Sequence, residues 1–121
     1  MDIRLHPMEA YLRVDVSGPY ESAAGRDAIR HIRSECARMG FGRVLVDARG
    51  LDSTVSISDR FELARALADG CTAAVRYAIL VHPEQMSTKT LEDSAVNRGV
   101  PVQTTASLEE AYGFLGLAPP G

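Results

Sequence analysis

The stretch "VLVDARGLDSTVSISDRF", residues 44–61, decides how this chain folds. Val44-Leu45-Val46 shows no polar alternation, which is the mark of a short strand covered on both faces. Asp47 closes the run. Four hydroxyls follow, at Ser53, Thr54, Ser56 and Ser58, and then the period changes. From Ser58 onward the apolar residues Phe61, Ala64, Leu67 and Ala68 fall at helical spacing. Glu62, Arg65 and Asp69 form a charge ladder on the other side, and Gly70 supplies a stop. A buried strand passing through a short polar loop into a helix is half of a βαβ unit, so the neighbouring segments decide whether a parallel sheet forms.

Upstream, "DIRLH" is a strand candidate. In "AYLRVDVSG", Tyr11, Arg13 and Asp15 alternate with Leu12, Val14 and Val16, the period-2 pattern of a half-buried strand. Ser17-Gly18-Pro19 makes a turn. Residues 21–39 place Ala28, Ile29, Ile32, Cys36 and Met39 on one helical face, with Gly40 as the stop. Downstream, "RYAILVHP" is a second buried strand closed by Pro83. Thr90 and Asp93 resemble a capping box for a third helix ending at Asn97-Arg98-Gly99. "VPVQTT" is a last strand, held to an edge or a strand start by Pro101. Ser107 with Glu110 caps a final helix bearing Leu108, Ala111, Tyr112 and Leu115.

The order β-β-α-β-α-β-α-β-α predicts an α/β fold. The expected architecture is a single mixed, mostly parallel sheet of four to five strands with helices, its N-terminal hairpin adding an antiparallel strand. Val44, Val46, Ile79, Leu80 and Val81 are expected in its core. Residues 1–117 read as one domain and 118–121 as a loose tail.

The 121 residues suffice for one hydrophobic core. The formal net charge of -3 comes from interspersed acids and bases. Nucleic-acid binding, which needs a basic excess, is therefore not expected. Arg26, Arg30, Arg33 and Arg38, with His31, alternate with apolar positions and read as a solvated helix face. Cys36 and Cys71 form no CxxC and no Cys/His ligand cluster, so neither a metal nor a disulfide framework is expected. No cofactor motif occurs: the glycines of "GFGRV" precede a strand and lack phosphate-loop spacing. "MDIRLHPMEAY" lacks the long apolar segment of a signal or an anchor, so a cytoplasmic protein is expected, with no membrane span.

If the strands ending at Asp47 and His82 are neighbours, Asp47, Ser56, Ser58 and His82 share one edge of the sheet as a candidate ligand edge. That set contains a nucleophile, a base and an acid. The Gly-x-Ser-x-Gly elbow is absent, however, and His82 before Pro83 reads as a surface residue, so an enzyme is not expected. Ser58 reads as the helix N-cap, and Ser53 and Thr54 as turn formers. A phosphate on Ser56 or Ser58 would gain about 0.3–1 kcal/mol from the helix dipole.

The strand "VLVDARGL" leading into a serine-bearing loop, and the ending "AVNRGVPVQTTASLEEAYGFL", resemble the STAS domain over residues 2–116. The branch most similar holds small bacterial proteins like the sporulation anti-sigma factor antagonists, often grouped with the CRAL-TRIO lipid-binding fold. The resemblance implies a non-enzymatic, regulatory protein-interaction domain whose partner is a kinase or an anti-sigma-like regulator. It also implies phosphorylation of a serine at the start of the helix after the third strand. The family pattern there is Asp-Ser-Ser/Thr-Gly. Counting from Asp47, this chain holds Val55-Ser56-Ile57-Ser58 instead, with Ile57 in the acceptor slot, so Ser56 and Ser58 are the candidate phosphoacceptors. Leu51, Asp52, Ser53, Thr54, Val55, Ile57 and Asp59 complete a candidate interaction loop. The oligomeric state is left open, a dimer included. The alternative is a small-molecule or lipid-binding module, and helix 58–69 discriminates between the two. A cavity beneath that helix favours a ligand, while an exposed apolar outer face favours a partner.

Overall fold

An N-terminal hairpin seeds the sheet. In the computed structural model, which describes residues 1–52, 55–68, 75–83 and 100–118, β1 (Asp2–Pro7) pairs antiparallel with β2 (Leu12–Gly18). Helix α1 (Ser22–Met39) leads to β3 (Arg43–Leu51), and α2 (Ile57–Ala68) leads to β4 (Arg76–Leu80). Strand β5 (Val102–Thr105) and helix α3 (Leu108–Leu115) follow. The strands lie in chain order, β1-β2-β3-β4-β5, and every pairing after the hairpin is parallel. The mixed, mostly parallel five-stranded sheet is the architecture expected. The expected third helix, opened by Thr90 and Asp93, falls outside the described residues.

Alternation along β3 divides the interior in two. Val44 and Val46 face α1 and α2, joining Leu12, Val14, Ile29, Ile32, Ala64 and Leu67 in one core. Leu45 faces α3, joining Ala78, Ala111, Tyr112 and Leu115 in the other. Both neighbours of Leu45 in the chain thus serve the opposite face, which is why the run reads as continuously apolar. The second core is closed by Tyr11 and Tyr112, whose hydroxyls hydrogen-bond at 2.8 Å with the rings edge to face.

Three expectations about side-chain burial are corrected. Met39 is 43% exposed. Gly40, in the left-handed region, ends α1 there, and its N–H and that of Phe41 both return to the Cys36 carbonyl. Phe41, not Met39, then packs on the core. Phe61 is 45% exposed, because α2 turns Arg60, Ala64 and Leu67 inward and Phe61 lies about 100° from Arg60 around the helix. Val46 and Ile79 point to the correct face but stay only partly buried. They line a gap in the packing described below.

Strand β3 also runs five residues beyond the apolar run that announces it. Asp15 pairs with Asp47, but Ser17 pairs with Gly50, so β3 carries one extra residue in between. Gly50 is required there: a Cβ would stand 2.9 Å from both the Val16 carbonyl oxygen and the Ser17 Cβ. Gly50→Ala should therefore lose about 1–3 kcal/mol of stability in urea unfolding, because a strand backbone must move to admit the methyl. Cys36 is 3% exposed, and burial, with the nearby Glu35 charge, pushes its thiol up to about 11. Labelling by a thiol reagent at pH 8 should reach Cys36 only at the rate of unfolding.

Candidate functional site

The loop after β3 ties three elements together. Leu51 ends the strand half-buried, and the exposed Asp52 donates its N–H to the Gly18 carbonyl at 2.9 Å. Ser53 and Thr54 lie outside the described residues. Ser56, not Ser58, is the cap: its Oγ accepts the Asp59 N–H at 3.1 Å, and its carbonyl accepts the Arg60 N–H at 3.0 Å. Sequence places both serines near the turn, but Ser56 is the one that precedes the first helical residue, three before the free Asp59 N–H, where a side chain can cap it. Asp59 is thereby released from capping duty, and its carboxylate accepts the Ser22 hydroxyl at 2.5 Å. This bond fastens the first turn of α2 to the first turn of α1. Ser58 stands exposed, one residue into the helix.

The two faces of α2 have opposite characters. Outward, Ile57 is 61% exposed and Phe61 45%, one turn apart on the same stripe. Inward, α2 roofs a cavity of about 160 Å³ between the sheet and the two helices. Val46, Ala48 and Ile79 floor it, Ala28 and Ile29 wall it, and Arg60 reaches it from α2. Tyr20 also lines it, lying so close over Gly25 that any Cβ there would meet its ring. Burial, then the Asp59 charge, pushes the Tyr20 phenol up to about 12, so it remains a proton donor. Burial alone pushes the Arg60 guanidinium down from its ordinary value.

Asp47 belongs to the other face of the sheet. Arg49 clasps it with two side-chain bonds of 3.0 and 2.8 Å and a backbone N–H at 3.1 Å, and Arg13 approaches at 3.3 Å. Arg13 also reaches Asp15 at 3.0 Å, and Asp15 meets His6 at 3.2 Å. The Arg49 bonds, and behind them Arg13, hold the Asp47 carboxyl below the usual carboxylate range. Asp47 is therefore not brought together with Ser56 and Ser58, which stand on the side of α2. His82 is exposed just past β4. Among the described residues, no three His, Cys, Asp or Glu side chains are placed to hold a metal ion, and no helix is long and apolar enough to cross a membrane.

This geometry has a counterpart of known structure. An anti-sigma factor antagonist from Mycobacterium paratuberculosis superposes with a TM-score of 0.66, covering 95% of this chain and 93% of its own, at 11% sequence identity. The fold is that of the STAS domain. No protein-family profile matches the sequence, and no curated protein matches it significantly. At 11% identity the likeness fixes the path of the chain and not its chemistry.

Among the described residues, the outer face of α2 with the turn before it and the cavity beneath it are two candidate binding features. The sequence places the loop but not Arg60, Arg13 or Arg49. For Arg13 a signal existed: with Asp15 it alternates on the polar side of β2, and the register sets Asp15 beside Asp47, so that Arg13 on the same face reaches Asp47 diagonally. For Arg60 there was none, since one arginine among apolar helix positions is ordinary. Asp47→Asn should cost about 1–3 kcal/mol at pH 7, because it leaves the Arg49 guanidinium without its counter-charge and Arg13 with Asp15 alone. The folded carboxyl is depressed, so its contribution is fully present above the ordinary carboxylate range and is lost as the pH falls through the lowered value. Unfolding curves of the two proteins should thus converge in acid.

Proposed function

We propose that this protein is a non-enzymatic, regulatory protein-interaction module whose contact surface is the outer face of α2 with the turn that precedes it. The observation that carries this reading is the stripe of Ile57 and Phe61. Both are large, apolar and exposed, and both are held in place by a helix anchored at Ser56 and at the Ser22–Asp59 bond. Paired apolar anchors one turn apart on a helix suit insertion into a groove of a partner protein. The fold agrees, since a solved structure with it is an anti-sigma factor antagonist. An anti-sigma-like regulator or its kinase is the partner class to test first.

The serines fit this surface unequally. The Ser56 oxygen is engaged as the cap, whereas Ser58 is exposed at the second helical position. A phosphate on Ser58 would sit by unpaired helix N–H groups without displacing a capping bond, about 0.3–1 kcal/mol in its favour. It would also set roughly two negative charges beside Ile57 and Phe61, and so oppose docking of an acidic or apolar partner.

Pull-down from native cells, with mass spectrometry of both the captured protein and the bait, identifies the partner and any modified serine. Ile57→Ser with Phe61→Ser should then weaken capture at least tenfold while leaving the melting temperature within a few degrees, because neither side chain contributes to the core. Ser58→Asp should leave the fold intact and alter affinity in a salt-dependent way. Affinity indifferent to all three changes would remove this surface from consideration.

A further inference from the structure

The cavity under α2 holds a charge that nothing described neutralises. Arg60 is 8% exposed, yet its guanidinium makes no hydrogen bond or ion pair with any described residue, and desolvation is the sole influence on it. No fully enclosed side-chain polar atom among the described residues lacks a partner. The guanidinium nitrogens therefore keep contact with open space, and the open space that Arg60 lines is the cavity. An arginine cannot escape by losing its proton. Burying its charge without a counter-charge is costly, and the natural remedy is an anion placed against it.

The rest of the lining says what that anion carries. Val46, Ala48, Ile79, Ala28 and Ile29 surround the volume with hydrocarbon, which repels a fully hydrated ion and favours an apolar body. A cavity of about 160 Å³ matches the size that takes up one benzene-like molecule, roughly six carbons. One guanidinium balances one negative charge; a phosphate dianion would carry a second, unmatched charge into an apolar wall. We propose that the cavity is a binding site for a small monocarboxylate with a hydrocarbon body of about six carbons, its carboxylate bridged to Arg60 and its body against Ala48 and Ile79. A planar carboxylate fits the arginine fork with two parallel bonds. This site is distinct from the outer face of α2, and either can fail without the other.

The test is titration calorimetry with four probes: hexanoate, hexan-1-ol, acetate and hexyl phosphate. Hexanoate should bind at least about tenfold more tightly than hexan-1-ol, which lacks the charge, and than acetate, which lacks the body. Hexyl phosphate should bind more weakly than hexanoate. Arg60→Met should abolish the preference for hexanoate over hexan-1-ol. The same variant should melt at a higher temperature than the ligand-free native protein, since an uncompensated cation has been replaced by a hydrocarbon of similar length. Ala48→Leu, which fills the cavity floor and leaves Arg60 in place, should weaken hexanoate and hexan-1-ol alike. Equal binding of hexanoate and hexan-1-ol to the native protein would overturn the proposal, and that comparison stands even if a variant does not fold. So would an Arg60→Met protein less stable than the native one, because its arginine would then have had a counter-charge already. Tighter binding of hexyl phosphate than of hexanoate would reassign the site to a phosphorylated ligand and reject the carboxylate.

Discussion

A parallel crossover must be right-handed, and this one constraint arranges most of the molecule. The strands follow chain order across the sheet, so successive crossovers advance in one direction. Right-handedness then assigns α1 and α2 to the same face, where Ile29 and Ile32 of one meet Ala64 and Leu67 of the other over Val44. Helix α3, arriving after the last strand, takes the opposite face. Two helices side by side on a twisted sheet do not mesh perfectly. Where small residues meet, Ala28 of α1 above Ala48 of β3, the packing leaves space. The same order has no reversal, and hence lacks the crevice where open α/β sheets usually bind ligands beyond their strand ends. Asp47 and the serines, neighbours in sequence, lie on different faces because Asp47 follows the inward Val46 by one strand position whereas the serines open α2.

Much of this was legible in the residues. Leu12, Val14 and Val16 alternate plainly, the run Val44-Leu45-Val46 announces a strand covered twice, and Ser107 with Glu110 marks α3. Even there the structure adds a turn of its own: Ser107 Oγ accepts the Glu110 N–H, but the Glu110 carboxylate takes the Thr105 hydroxyl at 2.7 Å and does not close the box. The phase of α2 was not legible. Over 12 residues, the stripe through Phe61 and Ala64 and the stripe through Arg60, Ala64 and Leu67 differ by one position, and hydrophobicity alone chooses the wrong one. Hydrophobicity ranks Phe61 above Arg60; tertiary packing reverses that order. Nor could a cavity be read from sequence, since it records what neighbouring side chains fail to fill.

Helix α2 departs from the ordinary amphipathic pattern on both of its sides. Its outer stripe is apolar where solvent would be expected to favour polar groups, and its inner stripe carries a cation where the core would favour a hydrocarbon. Each departs from the pattern that would stabilise the helix best, and both lie within its first two turns. Departures of this kind concentrate where a fold does its work. The Ser22–Asp59 bond holds this end of the helix against α1, so that neither departure loosens it from the sheet.

The edges of the sheet bear on how a partner can approach. Strand β5 has four residues and follows Pro101, whose nitrogen carries no hydrogen to donate. Strand β1 sets Asp2, Arg4 and His6 along one of its faces, all exposed, and ends on Pro7. Neither strand offers a long, uncharged template for another chain to extend. Growth of the sheet into a neighbouring molecule, the route to fibrous aggregates, is discouraged at both ends.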